Sequence, residues 1–548
     1  MTRICIGYVL IVSLSSVSLS QQHRITKQMI VEAESLIGLK FNDAKRDSML
    51  DDLNDHLANY EGIRKVNLPN SIPPAILFNP IPVGMKFPTK RQSFKMSYVG
   101  KVLPPSNLDD IAFYSIGQLA ELVRTRKVTS LQLTKLYIER LKKYGPKLEC
   151  VITLTESLAL AQAKRADKEI ASGKYRGPLH GIPYGAKDLL ATKGIRTTWG
   201  SVPYKDQMID EDATVIKRLE QAGAVLVAKL TMGELAWGDV WFGGKTRNPW
   251  KLDQGSSGSS AGSASATAAG LVAFGIGTET WGSIVSPSNR CGTTGLRPSY
   301  GRVSRKGAMA LSWSMDKIGT ICRTVEDCAV VFNAMYGPDG EDQTLYDVPF
   351  NYSPKIDLKK LKVGYVKSDF DSAKINKEQN DASLAKLREM GVQLMPVELP
   401  KLPVGDLHII LSAEAGAAFD ELTRSGKDDL LVRQIKNAWP NSFRSSRFIP
   451  AVEYLQANRV RFLLIQEMAK LMKEIDLYVA PSIEGDNSLL TNLSGHPCVV
   501  VPNGFTKENT PTSITFIGRL FDEGKLLAFA KAYQDANDFH LKHPKLPE

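Results

Sequence analysis

Paired cysteines are missing from this chain. Of six cysteines in 548 residues, Cys5 stands at the head of the first apolar run and not after it, which argues against a lipoprotein cleavage site. The rest, Cys150, Cys291, Cys322, Cys328 and Cys498, are odd in number and show no CxxC spacing. That excludes a disulfide framework and a thiolate zinc site. Cys322 and Cys328 could pair in an oxidising compartment, but two buried free thiols are the expectation. The seven histidines show no HExxH or related ligand spacing, so no metal and no cofactor is expected. Charge of one sign is also not concentrated: 69 basic residues are scattered among 58 acidic ones, for a net charge of +11. No Lys/Arg run interleaves with aromatics, so nucleic acid is not an expected partner. There is no internal repeat.

Long hydrophobic runs are missing too. The longest, Ile4 to Val17, is about 14 residues, short of the roughly 20 that a bilayer-spanning helix needs. With the positive start Met1-Thr2-Arg3 and the small residues up to Ser20, residues 1–20 read as a secretory signal peptide. Export to a periplasmic or extracellular compartment follows, with no stable membrane insertion after its removal.

Residues 21–107 read as a helical segment and a proline-rich linker. Met29, Ile30, Ala33, Leu36 and Ile37 form one apolar stripe, and Met49, Leu50, Leu53 and Leu57 another, which predicts two amphipathic helices. Pro69, Pro73, Pro74, Pro80, Pro82, Pro88, Pro104 and Pro105 then punctuate an aperiodic stretch, predicted to run extended over the surface of something larger. The main domain is placed at 108–548. It starts with a helical hairpin from Ser115 that Gly145-Pro146 should stop. A helix over 214–221 precedes a buried strand at Ala224–Ala228, and 361–366, 376–390 and 392–397 repeat the alternation. Strands alternating with helices predict an α/β fold, a sheet with helices on both faces.

The most unusual segment is Gly255-Ser256-Ser257-Gly258-Ser259-Ser260-Ala261-Gly262-Ser263, with Gly277-Thr278-Glu279-Thr280-Trp281-Gly282-Ser283 further on. A flexible linker is excluded by the Ala-rich, nearly uncharged stretch from Ala264 to Ile276. Small residues in an apolar segment predict close backbone approach to a ligand, with turns that present amide N–H groups. Such a site needs a base. His180 lies in a rigid turn between Pro178 and Pro183 and reads as structural. Lys187, in GIPYGAKDLL, would pass for a surface residue if it stood alone.

It does not stand alone. Gly181-Ile182-Pro183 with Lys187-Asp188, Asn248-Pro249-Trp250, the Gly/Ser segment and Gly277 to Ser283, in that order, resemble the amidase signature family. So do the stretches 292–305 and 323–329, Asn492 to Pro497, and Pro502 to Phe505. The resemblance runs from about Leu108 to the C-terminus. It implies the amidase signature fold, a mixed central β-sheet covered by helices on both faces, here with an N-terminal helical extension. Position by position it implies Lys187 as catalytic base, Ser259 as the cis-peptide serine that relays the proton, and Ser283 as nucleophile. Backbone amides around Thr280, Trp281 and Gly282 would form the oxyanion hole. Physics fits these types: a lysine near its ordinary pKa of about 10.4 is protonated at neutral pH, and burial beside Leu189 and Leu190 would lower it by several units.

Three positions depart from the family pattern: Trp281 and Ala261 stand where glycine is usual, and Glu279 where aspartate is usual. Trp281 cannot take the positive φ open to glycine and is expected to line the acyl pocket; Glu234 and Trp237 are further candidate pocket residues. The N-terminal helices resemble, more weakly, the small helical subunit that wraps the amidase subunit of glutamyl-tRNA amidotransferase, or else form an unrelated cap. The reading that results is a hydrolase cleaving a small-molecule, non-peptide amide through an acyl-Ser283 intermediate. The alternatives are an amidotransferase-type subunit passing on ammonia, or a non-catalytic exported binding protein.

Overall fold

The computed structural model describes residues 24–547; the signal-peptide expectation for residues 1–20 lies outside them. The chain forms two compact units divided between Pro69 and Asn70.

In the first unit, helices α1 (Lys27–Ile37) and α2 (Asp43–Arg64) begin at Thr26 and Asn42. Those side chains accept from the amides of Met29 and Lys45, the usual remedy for the unpaired N–H groups of a first turn. Of the stripe on α1 only Ile30 is buried, while Met29, Leu36 and Ile37 are exposed. The residue buried beside it is Glu34, whose two carboxylate oxygens take the Arg46 guanidinium at 2.8 Å each.

The second unit opens with the proline-punctuated stretch, which has no regular element before Leu108. Aromatics anchor it: Phe78 packs edge-on to Tyr300 and under the Arg461 guanidinium, Phe87 against Tyr346 and Phe521, and Phe94 on Tyr352. Next comes the hairpin of α3 (Ile116–Arg124) and α4 (Ser130–Leu148), each started by a reciprocal cap, Ser115 with Gln118 and Thr129 with Gln132. Gly145-Pro146 does not stop α4. Pro146 falls in the last turn, and the helix ends at Glu149 in the left-handed conformation, its amide bonded to the Gly145 carbonyl.

The described residues of this unit build an eleven-stranded mixed sheet. Its strands are β1 (Val151–Leu154), β2 (Pro183–Lys187), β3 (Val225–Leu230), β4 (Phe274–Glu279), β5 (Thr294–Arg297) and β6 (Lys317–Cys322), then β7 (Val363–Val366), β8 (Leu394–Val397), β9 (Leu477–Pro481), β10 (Cys498–Phe505) and β11 (Pro511–Gly518). Their order across the sheet is β1-β3-β2-β4-β6-β5-β10-β11-β9-β7-β8. The α/β expectation is met, with helices on both faces. The inner strands β2, β3, β4 and β6 are buried along their whole length, as a sheet covered on both sides requires. The edge strands β1 and β8 are not. The five cysteines of the described residues are buried free thiols, and no described helix is long and apolar enough to cross a membrane.

Candidate functional site

Three neighbouring strands, β3, β2 and β4, run parallel, and their carboxyl ends open on the same place. This is where α/β sheets hold their ligands. Lys187 is the last residue of β2, the middle strand of the three. Its side chain leaves the plane of the sheet, is covered by the Ser259-Ser260 segment, and is fully buried. The Nζ lies 2.8 Å from Ser259 Oγ, 2.8 Å from Thr278 Oγ1 and 3.2 Å from Ser260 Oγ. Among the described residues no carboxylate pairs with it. Burial therefore dominates, against the more distant pull of Asp316 and Glu279, and brings the pKa down to about 7. The adjacent Asp188 is committed elsewhere, to Lys229 at 3.0 Å and to the amide and hydroxyl of Thr198.

Ser259 is delivered by the turn into α5, Ala261–Ala268, and its peptide bond to Gly258 is cis. The glycines of this segment are packed against protein. A Cβ on Gly258 would fall 1.9 Å from the Gly238 carbonyl oxygen, and one on Gly262 would fall 2.5 Å from the Thr231 amide. Small residues are needed because α5 lies directly on the sheet: on β4, a Cβ at Gly275 would fall 3.0 Å from the Ser263 carbonyl oxygen. Ser260 Oγ donates to the Thr278 carbonyl and accepts from the Thr278 amide, and its own N–H donates to the Ser283 carbonyl at 3.2 Å. That bond ties the serine pair to the turn that bears Ser283.

The turn itself is held from below. Glu279 ends β4, and its buried carboxylate accepts from the amides of Ile284 and Val285 at 2.8 and 3.0 Å, from Arg297 Nη1 at 2.7 Å and from Asn492 Nδ2 at 2.8 Å. Burial alone would raise its pKa; Arg297, Asn492 and the Val285 amide outweigh burial and hold it down at about 2. The carboxylate thus spans residues 280–283 like a staple. Glutamate in place of the usual aspartate is accommodated without losing any of these bonds. On the far side Thr280 Oγ1 donates to Asp316 at 2.5 Å.

The left-handed position of the turn is Gly282, at φ 78°, so Trp281 keeps an ordinary φ and replaces the usual glycine without backbone strain. Among the described residues the amides of the three expected donors, Thr280, Trp281 and Gly282, and that of Ser283 donate to no protein acceptor, which leaves them available to an oxyanion. Ser283 itself is 7% exposed.

The Trp281 ring is 44% exposed and lies 5.5 Å from the His408 ring. Glu234 is buried and its oxygens are taken by Ser201 Oγ at 2.9 Å and the Val432 amide at 2.7 Å; burial raises its pKa. Trp237 lies under the Arg433 guanidinium at 4.5 Å. His180 sits apart, with the Arg176 amide and Glu169 as partners. Thr278, Ser260, Asp316, Arg297 and Asn492 complete the site, and sequence reasoning passed over their roles. The signal was present for the last two. Arg297 and Asn492 belong to the later landmarks of the resemblance, and both end on Glu279.

The family model described as Amidase matches residues 132–488. A glutamyl-tRNA(Gln) amidotransferase subunit from Acinetobacter baumannii (strain AB0057) is 34% identical over 80% of this chain and 99% of its own length. The corresponding subunit of Carboxydothermus hydrogenoformans is 32% identical over 80% of this chain and all of its own length. Among solved structures, the native peptide amidase from Stenotrophomonas maltophilia aligns with a TM-score of 0.70 at 26% identity, covering 80% of this chain and 99% of that one. The same glutamyl-tRNA(Gln) amidotransferase subunit from Thermotoga maritima superposes with a TM-score of 0.68 at 25% identity, covering 81% and 100%.

Proposed function

The chain belongs to the Amidase family, and from that premise we propose that it hydrolyses a small-molecule, non-peptide carboxylic amide through an acyl-enzyme on Ser283. The observation that carries the reading is Lys187: a buried amine with no ion-pair partner among the described residues, 2.8 Å from Ser259 Oγ. As the neutral amine it accepts the Ser259 proton while Ser259 takes the proton of Ser283, a contact absent among the described residues of the free protein and closed when substrate binds. Ser283 Oγ adds to the amide carbon, and the carbonyl oxygen becomes an oxyanion opposite the free amides of residues 280–283. The returning proton goes to the amide nitrogen, the C–N bond breaks, and ammonia or an amine leaves. Water then adds to the ester by the same route and frees the carboxylic acid together with Ser283.

Similarity to the amidotransferase subunits supports a second reading, in which ammonia from the same acylation step passes to another protein. Incubating the purified chain alone with primary amides separates the two. The hydrolase reading expects ammonia and acid in equal amounts with no partner added. Turnover that appears only with an added protein, and ammonia that reaches an acceptor instead of the solution, would favour the second.

We also propose export, on the strength of the charged start and short apolar run of residues 1–20. Intact-mass measurement on the natively expressed protein should place the N-terminus near Gln21, and a chain beginning at Met1 or Thr2 would overturn cleavage.

A further inference from the structure

Arg433 is the feature the catalytic account leaves unused. It follows the short helical turn Lys427–Leu430 and precedes the helix Trp439–Ser446. Both sides of its segment are fastened to the 233–239 loop: the Val432 amide donates to Glu234 at 2.7 Å, and Trp439 Nε1 donates to the Leu235 carbonyl at 3.0 Å. The same loop braces the segment that bears the relay serine. The Gly233 amide donates to the Ser259 carbonyl at 3.3 Å, the Gly238 carbonyl abuts Gly258, and Asp239 accepts from the Ser257 amide at 3.0 Å. Arg433 therefore sits one loop's thickness from the Gly258-Ser259 bond.

Its head group is set up for a ligand. The guanidinium lies over the Trp237 face at 4.5 Å, and Nη1 would be 3.2 Å from a Cβ on Gly238. Among the described residues no carboxylate or carbonyl accepts a hydrogen bond from it, although the residue is half-buried. The nearby carboxylates in sequence and space are already committed: Glu234 to Ser201 and Val432, Asp239 to Ser257, Asp428 and Asp429 to Arg444. Five donors in a fixed fork match a carboxylate in pairs. The indoles of Trp237 and Trp439, 6.4 Å apart, replace water on one side and strengthen any ion pair formed there.

We infer that Arg433 binds the carboxylate of an amide substrate, so that the preferred substrates are anionic amides; this rests on the amidase reading above. Matched pairs test it. Glutaramate and adipamate, against valeramide and hexanamide, put the charge on the acyl side; N-butyrylglycine, against N-propylbutyramide, puts it on the leaving group.

For at least one pair, kcat/KM should favour the anion by about 10- to 100-fold, the range of a charged hydrogen-bonded contact. In Arg433→Met that ratio should fall toward one through a rise in KM, as loss of uniform binding requires, and Arg433→Lys should keep part of it. Arg165→Met, which removes a surface partner of Glu220, should leave the ratio alone. Titration calorimetry of adipate and N-butyrylglycine in a Ser283→Ala background reads the same contact without turnover, and adding Arg433→Met should weaken binding about tenfold or more. A wild-type ratio near one for every pair, or one unchanged in Arg433→Met, overturns the assignment. If no amide of either charge is cleaved while anion binding still depends on Arg433, the anion site stands and the hydrolase reading falls.

Discussion

Replacing Ser283 by alanine lowers kcat on any amide the protein cleaves by about 10⁴-fold or more, the scale on which removal of a covalent nucleophile acts. The fold should not register the change. Among the described residues Ser283 Oγ holds no protein hydrogen bond, so truncation orphans no buried partner, and the stability read from the denaturant midpoint should move by about 1 kcal/mol or less. The contrast separates chemistry from stability, because a variant that is inactive and also unfolded would say nothing about the nucleophile. Initial rates with a primary amide and an unfolding curve on the same preparation measure both. Residual activity within tenfold of wild type would remove Ser283 from the mechanism.

Lys187→Ala should cost about 100- to 10,000-fold in kcat, the usual contribution of a positioned base. The wild-type pH dependence gives the sign. Burial holds Lys187 at about 7, and only the neutral amine accepts a proton, so kcat/KM should fall about tenfold per pH unit below that value and level off above it. A lysine left at its ordinary pKa of about 10.4 would instead give a rise continuing past pH 9.

The same shift enters stability. Between about 7 and 10.4 the unfolded chain binds a proton that the folded chain does not, so this residue's contribution makes stability rise with pH across that window, and the burial penalty is fully present below it. Comparing unfolding midpoints of the wild type and Lys187→Ala at pH 6, 8 and 9.5 isolates the term. A difference between them that does not change with pH would mean that Lys187 is protonated throughout.

Legibility in the sequence followed locality. The alternation of helices and strands, the start of the helical hairpin at Ser115, and the strands near 225 and 363 could be read because turns and apolar runs are properties of a few adjacent residues. Lys187 could not be read alone, because what covers its side chain is the Ser259-Ser260 segment, 72 to 73 residues away in sequence and brought over β2 only by the fold. The staple at Glu279 was only half legible: Arg297 and Asn492 stand in motifs the sequence shows, but that both end on Glu279 appears only when β4, β5 and the helix Asn487–Ser494 are assembled. Close packing around Gly258 and Gly262 was foreseen, but the Gly238 carbonyl and Thr231 amide that fill the space were not, since sequence shows that space is tight without showing what fills it. Arg433 carried no sequence signal at all; its significance lies in what does not pair with it.

The central claim is that Lys187, through Ser259, makes Ser283 the nucleophile. Its most direct test is a serine-directed covalent probe applied to the intact protein, with adducts mapped by peptide mass spectrometry across pH 5 to 9. A single adduct on Ser283 is expected, formed at a rate that climbs through about pH 7 and is lost in Lys187→Ala. Labelling at another serine, or labelling of Ser283 that ignores both pH and the loss of Lys187, would contradict it.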